Sequence, residues 1–181
     1  MIYFTDFFQV SEEDVERIGA FNISLINDLP LFIDPFLIFG SKKQEYQKLH
    51  QDILNYLKFL KEKAEESSPN LSQLKAWYTF HEVKQNWLGY STIGNSGSGL
   101  GLDFAKSFSS NLRVVFDDLG KEKITMTSHL EKACLFEIGV GKDNISDFTC
   151  NLIKEYLLDY TQKFAIAHIS STFLKHFKVD K

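Results

Sequence analysis

The 181-residue chain is 44% hydrophobic and 24% charged, which is typical of a globular domain and excludes a disordered tail, a collagen-like fibre and a disulfide-rich miniprotein. Its formal net charge of −4, with only two arginines among 20 basic residues, disfavours binding along a nucleic-acid phosphate backbone. We expect one domain over residues 1–181, because a single core typically spans about 100–200 residues.

Apolar residues at helical spacing predict a mainly α-helical, compact domain built around three long helices. In chain order these helices are residues 41–64, 100–119 and 144–168. The first opens with a capping box of Ser41 and Gln44, and the second stops before Gly120, a residue suited to a helix carboxyl end. The third carries apolar residues four apart along its whole length, so we expect it to be the buried central element.

The shorter segments are less regular. Short helices are expected at residues 11–20 and 128–136, each opened by a serine with an acidic residue three positions on. Residues 31–40 contain Pro35, which breaks helices, so an extended segment or short edge strands are expected there. Residues 76–83 are aromatic and β-prone, and form either a strand or the end of a helix that begins near Leu71. The fold class is therefore mainly α, or α+β if such segments pair as strands.

Two loops separate these elements. Residues 65–70 are polar and are expected to form a surface loop. Residues 91–101 form a glycine-rich loop that holds four of the ten glycines just before the second long helix. Backbone N–H groups beside a helix amino terminus are suited to binding a phosphate group. The candidate ligand-binding residues are Gly97, Ser98, Gly99, Gly101 and Lys106. The spacing fits neither a Walker A nor a dinucleotide-binding sequence, and a tight or flexible connection is the alternative.

Two further patterns are typical of metal-dependent chemistry. Glu82 and Lys84 form a Glu-x-Lys pair, as in nucleases whose carboxylate binds Mg²⁺ and whose lysine polarises the attacking water. The aspartate that such nucleases carry on the preceding strand is missing, and solvated charges are the alternative. Asp143 and Asp147 are spaced to bind a divalent cation together, although acidic residues also stabilise helix amino termini without a metal. No cofactor is predicted, and Mg²⁺ is expected only if the protein is an enzyme.

The amino terminus and the cysteines indicate a cytoplasmic protein. The first 14 residues lack a basic region and turn acidic at once, unlike a signal peptide. No apolar run approaches the length of about 20 residues that spans a bilayer, so no membrane association is expected. Cys134 and Cys150 lie in apolar runs without a Cys-x-x-Cys spacing, which predicts reduced, buried thiols.

Three motifs that occur in order resemble an uncharacterised bacterial protein family. They are Ile33-Asp34-Pro35-Phe36-Leu37, then Leu88-Gly89-Tyr90-Ser91 with Gly97-Ser98-Gly99-Leu100-Gly101, and then Asp143-Asn144-Ile145-Ser146-Asp147-Phe148 with Tyr160-Thr161-Gln162. The resemblance covers most of the chain and implies a place among accessory genes such as phage-defence loci, in proteins that are often longer. It implies no biochemical activity, so no catalytic residue is transferred from it.

The surplus of aromatic residues guides the expected function. With 17 Phe, 7 Tyr and 2 Trp, the sequence favours a protein-interaction or self-association module, with a defence-related setting implied by the resemblance. One alternative is an enzyme that binds a phosphate-bearing small ligand through the glycine-rich loop. The other is a metal-dependent nuclease that uses Glu82 and Lys84. The sequence leaves open whether the protein is an enzyme.

Overall fold

The computed structural model describes residues 2–27, 31–81, 83, 100–115 and 141–179, and the structural statements below concern these residues. Within them the helices are α1 (Phe4–Phe8), α2 (Glu12–Arg17), α3 (Pro35–Gly40), α4 (Gln44–Glu66), α5 (Leu71–Trp77), α6 (Leu102–Val115), α7 (Lys142–Leu152) and α8 (Lys154–His168), followed by a 3₁₀ turn at Ser171–Phe173. Extended pairing in this part of the chain amounts to two isolated antiparallel bridges, Tyr3 with Ser24 and Phe80 with Leu100. The expected mainly helical fold class is confirmed.

The chain divides into two compact units. The first, called the terminal unit here, comprises Met1–Leu31, Lys84–Ser96 and Lys154–Lys181, and it includes α1, α2 and α8. The second, called the core unit, comprises Phe32–Val83 and Gly97–Ile153, and it includes α3 to α7. The domain boundaries expected from the sequence, one domain over residues 1–181, stay a prediction.

Aromatic side chains fill the centre of the core unit. Phe148 on α7 is fully buried, and its ring centroid lies 4.1 Å from that of Phe80 and 5.5 Å from that of Phe108. Phe104 and Phe108, one turn apart on α6, stack with their centroids 5.3 Å apart. The long helix α4 adds an aliphatic face to this cluster, formed by Ile53, Leu54, Leu57, Leu60 and Ala64. Edge-to-face and stacked ring pairs add to the stabilisation that burial provides, so these rings form the main core.

Two tyrosines fasten the end of α5 to α4. The hydroxyl of Tyr78, whose side chain is fully buried, donates a hydrogen bond to the carbonyl oxygen of Leu60 at 2.8 Å. The hydroxyl of Tyr56 donates to the carbonyl oxygen of Trp77, also at 2.8 Å. Burial raises the pKa of Tyr78 to about 12, and the neighbouring Tyr56 adds to the rise. Burial also raises the pKa of Tyr56.

The raised pKa of Tyr78 predicts a loss of stability in alkaline solution. An unfolded tyrosine ionises near pH 10, whereas folded Tyr78 ionises near pH 12. The folded state holds its phenolic proton where the unfolded state has released it, so the free energy of unfolding should fall as pH rises from about 10 to about 12. Tyr78→Phe should reduce this dependence and lower stability at pH 7 by about 0.5–1.5 kcal/mol, the net contribution of one hydrogen bond.

Urea unfolding of the wild type and Tyr78→Phe at pH 7, 10 and 11 measures this difference. Because Tyr56 also has a raised pKa, part of the alkaline decline should remain in the variant. A decline as steep in Tyr78→Phe as in the wild type would contradict the assignment.

Helix α3 shows that the non-helical segment expected at residues 31–40 is wrong for residues 35–40, whereas residues 31–34 form no helix. Pro35 lies in the first turn of this helix, where its missing N–H removes no intrahelical hydrogen bond and its fixed φ favours the helix. Asp34 caps the helix, and its Oδ1 accepts the backbone N–H of Phe36 at 2.8 Å. A proline in the interior of a helix would break it, whereas Pro35 lies at the first turn, where a proline is favourable.

Helices α4 and α6 confirm two of the three expected long helices, with shifted ends. The hydroxyl of Ser41 accepts the N–H of Lys43, and the helix begins at Gln44, so the expected Ser41 cap does not form. Helix α6 begins at Leu102 because Leu100 exchanges backbone hydrogen bonds of 2.7 and 2.9 Å with Phe80. The expected end at Gly120 and the expected helix at 128–136 lie outside the described residues.

The third expected helix, residues 144–168, is two helices. Helix α7 ends at Leu152 and α8 begins at Lys154, with Ile153 between them at φ −108° and ψ 18°. Helix α7 is buried as expected, and it includes the fully buried Phe148. No residue of α8 is buried, so the expectation of one buried central helix is wrong for its second half. Apolar spacing shows what a helix can bury, whereas its actual burial depends on the rest of the fold.

The short elements agree with part of the sequence analysis. Ser11 caps α2 by accepting the N–H of Asp14 at 3.1 Å, as expected, although this helix already ends at Arg17. Helix α5 ends at Trp77, so the aromatic segment at residues 76–83 begins as a helix end, and Phe80 further along forms an isolated antiparallel bridge with Leu100. Helix α1 was not expected from the sequence. Among the described helices, none combines the length and the apolarity needed to cross a membrane.

Candidate functional site

Most residues expected to bind a ligand or catalyse a reaction lie outside the described part of the chain. These residues are Glu82, Lys84, Gly97, Ser98 and Gly99, and their roles stay predictions. Gly101 is described and exposed, with open space where a side chain would begin. Lys106 is exposed on α6, with its Nζ 3.5 Å from Oδ1 of Asp103.

The expected metal pair lies at the start of α7. Asp143 is exposed in the first turn of this helix, and Asp147 is half-buried one turn later. The first turn is closed by Asn144, whose Oδ1 accepts the N–H of Gly141 at 3.0 Å. In residues 2–27, 31–81, 83, 100–115 and 141–179, no group of three or more His, Cys, Asp or Glu side chains is arranged to hold a metal ion. Asp143 suits the helix dipole without a metal, and a metal role for the pair stays a prediction.

The cysteine of α7 is a buried free thiol. Cys150 is buried and forms no disulfide, as expected from its apolar surroundings in the sequence. Burial, together with the negative charge of Asp147, raises its pKa to about 11. A thiol that stays protonated at neutral pH is a poor nucleophile, so Cys150 acts as a core residue. Cys134 lies outside the described residues.

A cavity in the core unit brings Lys106 beside several hydroxyl groups. Its volume is about 380 Å³, and its lining is formed by Ala64, Ser68, Pro69, Leu74, Lys106, Ser109 and Ser110. The hydroxyls of Ser109 and Ser110 donate to the carbonyl oxygen of Lys106 at 3.1 and 2.8 Å. These two hydroxyl groups therefore cannot also donate a hydrogen bond to a ligand. The carboxylate of Asp103 also faces the lysine ammonium. The Lys106 ammonium and the Ser68 hydroxyl remain as donors toward a phosphate, and the nearby Asp103 carboxylate partly offsets the charge of the lysine.

A polar cluster in the terminal unit fastens α8 to α2. Oδ2 of Asp14 accepts a hydrogen bond from the Ser11 hydroxyl at 2.7 Å and lies 3.4 Å from Nδ1 of His168. Arg17 donates to Oδ1 of the same carboxylate at 2.8 Å. The Ser11 hydrogen bond, with the charges of His168 and Arg17, lowers the pKa of Asp14.

This cluster is structural rather than catalytic. Ser11 and His168 both contact the Asp14 carboxylate and make no recorded hydrogen bond with each other. In a Ser-His-Asp triad the imidazole lies between the serine and the aspartate, where it takes the serine proton. Here the aspartate lies in the middle, so the imidazole is not placed to activate Ser11.

The exposed large hydrophobic residues of the described chain are concentrated in the terminal unit. Of the twenty buried hydrophobic residues in the described ranges, Val10 and Val15 are the two in this unit. Eight of the eleven exposed large hydrophobic residues of those ranges lie in it. We call these eight the apolar surface: Ile2, Tyr3, Phe7, Phe21, Ile166, Phe173, Leu174 and Phe177. Exposure reaches 67% for Ile166 and 77% for Phe177.

Ring contacts hold two members of the apolar surface in place, Phe7 and Phe173. The ring centroid of Phe173 in the 3₁₀ turn lies 5.7 Å from that of Phe7 and 5.5 Å from that of Phe8 on α1. Phe4 on α1 lies 6.2 Å from Phe164 on α8 by the same measure. These contacts order the aromatic side chains, yet about half of Phe7 and of Phe173 remains exposed to solvent. An ordered, half-exposed apolar surface is a typical protein-binding feature.

The sequence contained only an indirect signal for this surface. Its members come from residues 2–21 and 166–177, which are far apart in the chain, so no local motif marks them. The aromatic surplus pointed to an interface without locating it. The apolar positions of α8 were interpreted as core, because burial inside the chain and burial against a partner leave the same pattern in a sequence.

Comparison with known proteins places the chain in a family. Residues 9–181 match the family model described as a domain of unknown function, DUF8370. The chain belongs to this family. No curated protein and no solved structure matches it. The match confirms that the chain resembles an uncharacterised family, as the motifs predicted. The bacterial origin and the phage-defence setting of this DUF8370 member stay predictions.

Proposed function

We propose that this DUF8370 member is a protein-interaction module that binds its partner through the apolar surface of the terminal unit. One observation carries the proposal: eight of the eleven exposed large hydrophobic residues in the described ranges lie in a unit that holds only two of the twenty buried ones. Single exposed apolar residues are common on monomers. Their concentration in one unit is typical of a surface that a partner covers.

Helix α8 supports the same conclusion. A helix with apolar residues around most of its circumference is ordinarily buried. In α8 these residues include Tyr156, Leu157, Leu158, Tyr160, Phe164 and Ile166, yet none is buried. Full burial of a large apolar side chain stabilises by roughly 1.5–3 kcal/mol relative to exposure. A partner that covers α8 would gain most of this energy from the exposed Ile166 and a smaller part from each of the other five, which are half-buried already.

The alternatives have weaker support. An enzyme that binds a phosphate-bearing ligand would use Lys106, but the cavity beside this residue offers few free donors. The nuclease hypothesis depends on Glu82 and Lys84, which lie outside the described residues. The interaction module is thus the function that the described geometry supports best.

The cellular setting is part of the proposal. The free, buried thiol of Cys150 supports a reducing compartment such as the cytoplasm. The formal net charge of −4 supports a protein partner over nucleic acid. The motif resemblance supplies the bacterial, defence-related context, which genome neighbourhoods of family members would test.

Affinity capture with matched surface variants tests the proposed function. Phe7→Ser/Ile166→Ser alters the apolar surface, whereas Phe32→Ser/Leu37→Ser makes the same kind of change at exposed sites of the core unit. We expect the tagged wild type and the core-unit variant to retain the same proteins from native extract, identified by mass spectrometry. The apolar-surface variant should retain at least tenfold less of them.

Thermal unfolding of each variant shows whether its fold is intact. Exposed substitutions usually change stability by no more than about 0.5 kcal/mol, and the half-exposed Phe7 should cost somewhat more. Equal retention by all three folded proteins would overturn the proposed function.

A further inference from the structure

The last described residues of the chain form a basic arm without regular secondary structure. Residues 174–179 follow the 3₁₀ turn without helix or strand structure, and we call them the arm. Beyond the N–H of Leu174, which donates to Ser171, no backbone hydrogen bond to the arm is recorded in the described chain. Phe177 is 77% exposed and lies between Lys175 and Lys178. Neither lysine forms a recorded ion pair with a described residue.

The opposite charge lies on α2. Residues 2–27 contain five acidic residues, Asp6, Glu12, Glu13, Asp14 and Glu16, and one basic residue, Arg17. Glu13 and Glu16 are exposed and, within the described residues, form no recorded ion pair. Phe21, which follows the turn at the end of α2, is 72% exposed. We call these three exposed residues, Glu13, Glu16 and Phe21, the acidic patch; they lie close together in the chain and offer two carboxylates and one aromatic ring to solvent.

We infer that the partner is a second copy of this chain, and that the arm of each copy lies on the acidic patch of the other. This inference rests on the proposed function. The arm and the patch are complementary, since each offers an exposed phenylalanine and the two carry opposite charges. Complementary potentials across an interface favour association and set its register. Among the described residues, Lys175 and Lys178 of the arm and Glu13 and Glu16 of the patch form no ion pair within one chain.

Symmetry favours the second copy over an unrelated protein. In a two-fold symmetric dimer a surface meets itself, so a chain that carries both complementary parts forms the same contact twice. The ring contacts of Phe173 with α1 anchor the base of the arm. From that base, six residues span at most roughly 20 Å when fully extended, which is enough to cross onto a neighbouring molecule.

Sedimentation velocity of the full chain between about 1 and 100 µM tests the inference with charge reversals. The arm variant is Lys175→Glu/Lys178→Glu, and the patch variant is Glu13→Lys/Glu16→Lys. The control is Lys42→Glu/Lys48→Glu, which makes the same charge change at two exposed lysines of the core unit. Circular dichroism melts show whether each variant is folded.

We expect the wild type and the control to dimerise with rising concentration, while the arm variant and the patch variant each raise the dimer Kd at least tenfold. An equimolar mixture of the two variants should restore dimers, because the acidic arm of one then meets the basic patch of the other. Raising the salt concentration should weaken the wild-type dimer, since exposed charges are screened.

Three results would overturn the inference. They are a wild type that stays monomeric up to 100 µM, an arm variant that dimerises as well as the control, and a mixture of folded variants that stays monomeric. If one of these occurs while Phe7→Ser/Ile166→Ser still loses captured proteins, the proposed function stands and its partner is a different protein. If capture is also unaffected by that variant, both proposals fail.

Discussion

Replacement of Phe148 by alanine should lower the free energy of unfolding by about 3–5 kcal/mol, the range for removal of a buried aromatic ring. The ring is fully buried and contacts Phe80 and Phe108, with centroids 4.1 and 5.5 Å away, and Phe104, 6.4 Å away. These neighbours come from α6 and from the segment after α5, so a cavity left by the ring borders several elements. Since each neighbour is itself packed against others, the cavity cannot close by moving one side chain, and the cost should lie toward the upper end.

Urea unfolding followed by circular dichroism measures this loss. Phe32→Ala is the matched control, because the same atoms are removed from a side chain that is 43% exposed, and it should cost only about 1 kcal/mol. With a typical total stability of about 5–15 kcal/mol, the Phe148→Ala protein should unfold at a clearly lower urea concentration. A similar midpoint for both variants would contradict the placement of Phe148 at the centre of the core.

Leu60→Ala should cost about 2–5 kcal/mol, the range for a fully buried leucine. Leu60 lies on the buried face of α4, and its carbonyl oxygen accepts the Tyr78 hydroxyl. Alanine favours helix formation more than leucine does, so the loss comes from packing and not from helix propensity. Because the backbone carbonyl remains in the variant, the Tyr78 hydrogen bond is not removed directly.

The same substitution at Leu37 on α3 provides the control. Its side chain is 69% exposed, so Leu37→Ala should change the free energy of unfolding by no more than about 0.5 kcal/mol. Thermal and urea unfolding of the two variants, measured side by side, give the difference. If Leu60→Ala and Leu37→Ala lower the free energy of unfolding equally, the assignment of the α4 face to the core is wrong.

These stability predictions concern the core unit, whereas the binding predictions concern the terminal unit. The described part of the terminal unit has only Val10 and Val15 as buried hydrophobic residues, so substitutions on its apolar surface remove little internal packing. Their main expected effect is on association. Separate effects of this kind, on unfolding for Phe148 and Leu60 and on association for Phe7 and Ile166, would distinguish a structural core from an interaction surface.

The sequence by itself determined the local features of this protein. The helical spacing of apolar residues located α4 and α6, and it put Leu57, Leu60, Phe108 and Leu112 on their buried faces. The Ser11 cap of α2 could also be predicted, because its hydrogen bond joins residues only three apart. Such features depend on backbone geometry and on interactions within one or two turns, which adjacent residues fix.

Only the tertiary structure decided which apolar residues are covered. The chain interrupts the third expected helix at Ile153, where α7 belongs to the core unit and α8 to the terminal unit. The apolar pattern of α8 would be the same whether the helix were buried or exposed. Its exposure depends on residues distant in the chain. The candidate interaction surface therefore emerged only from the folded chain, since burial is set by long-range packing and periodicity records only the capacity for it.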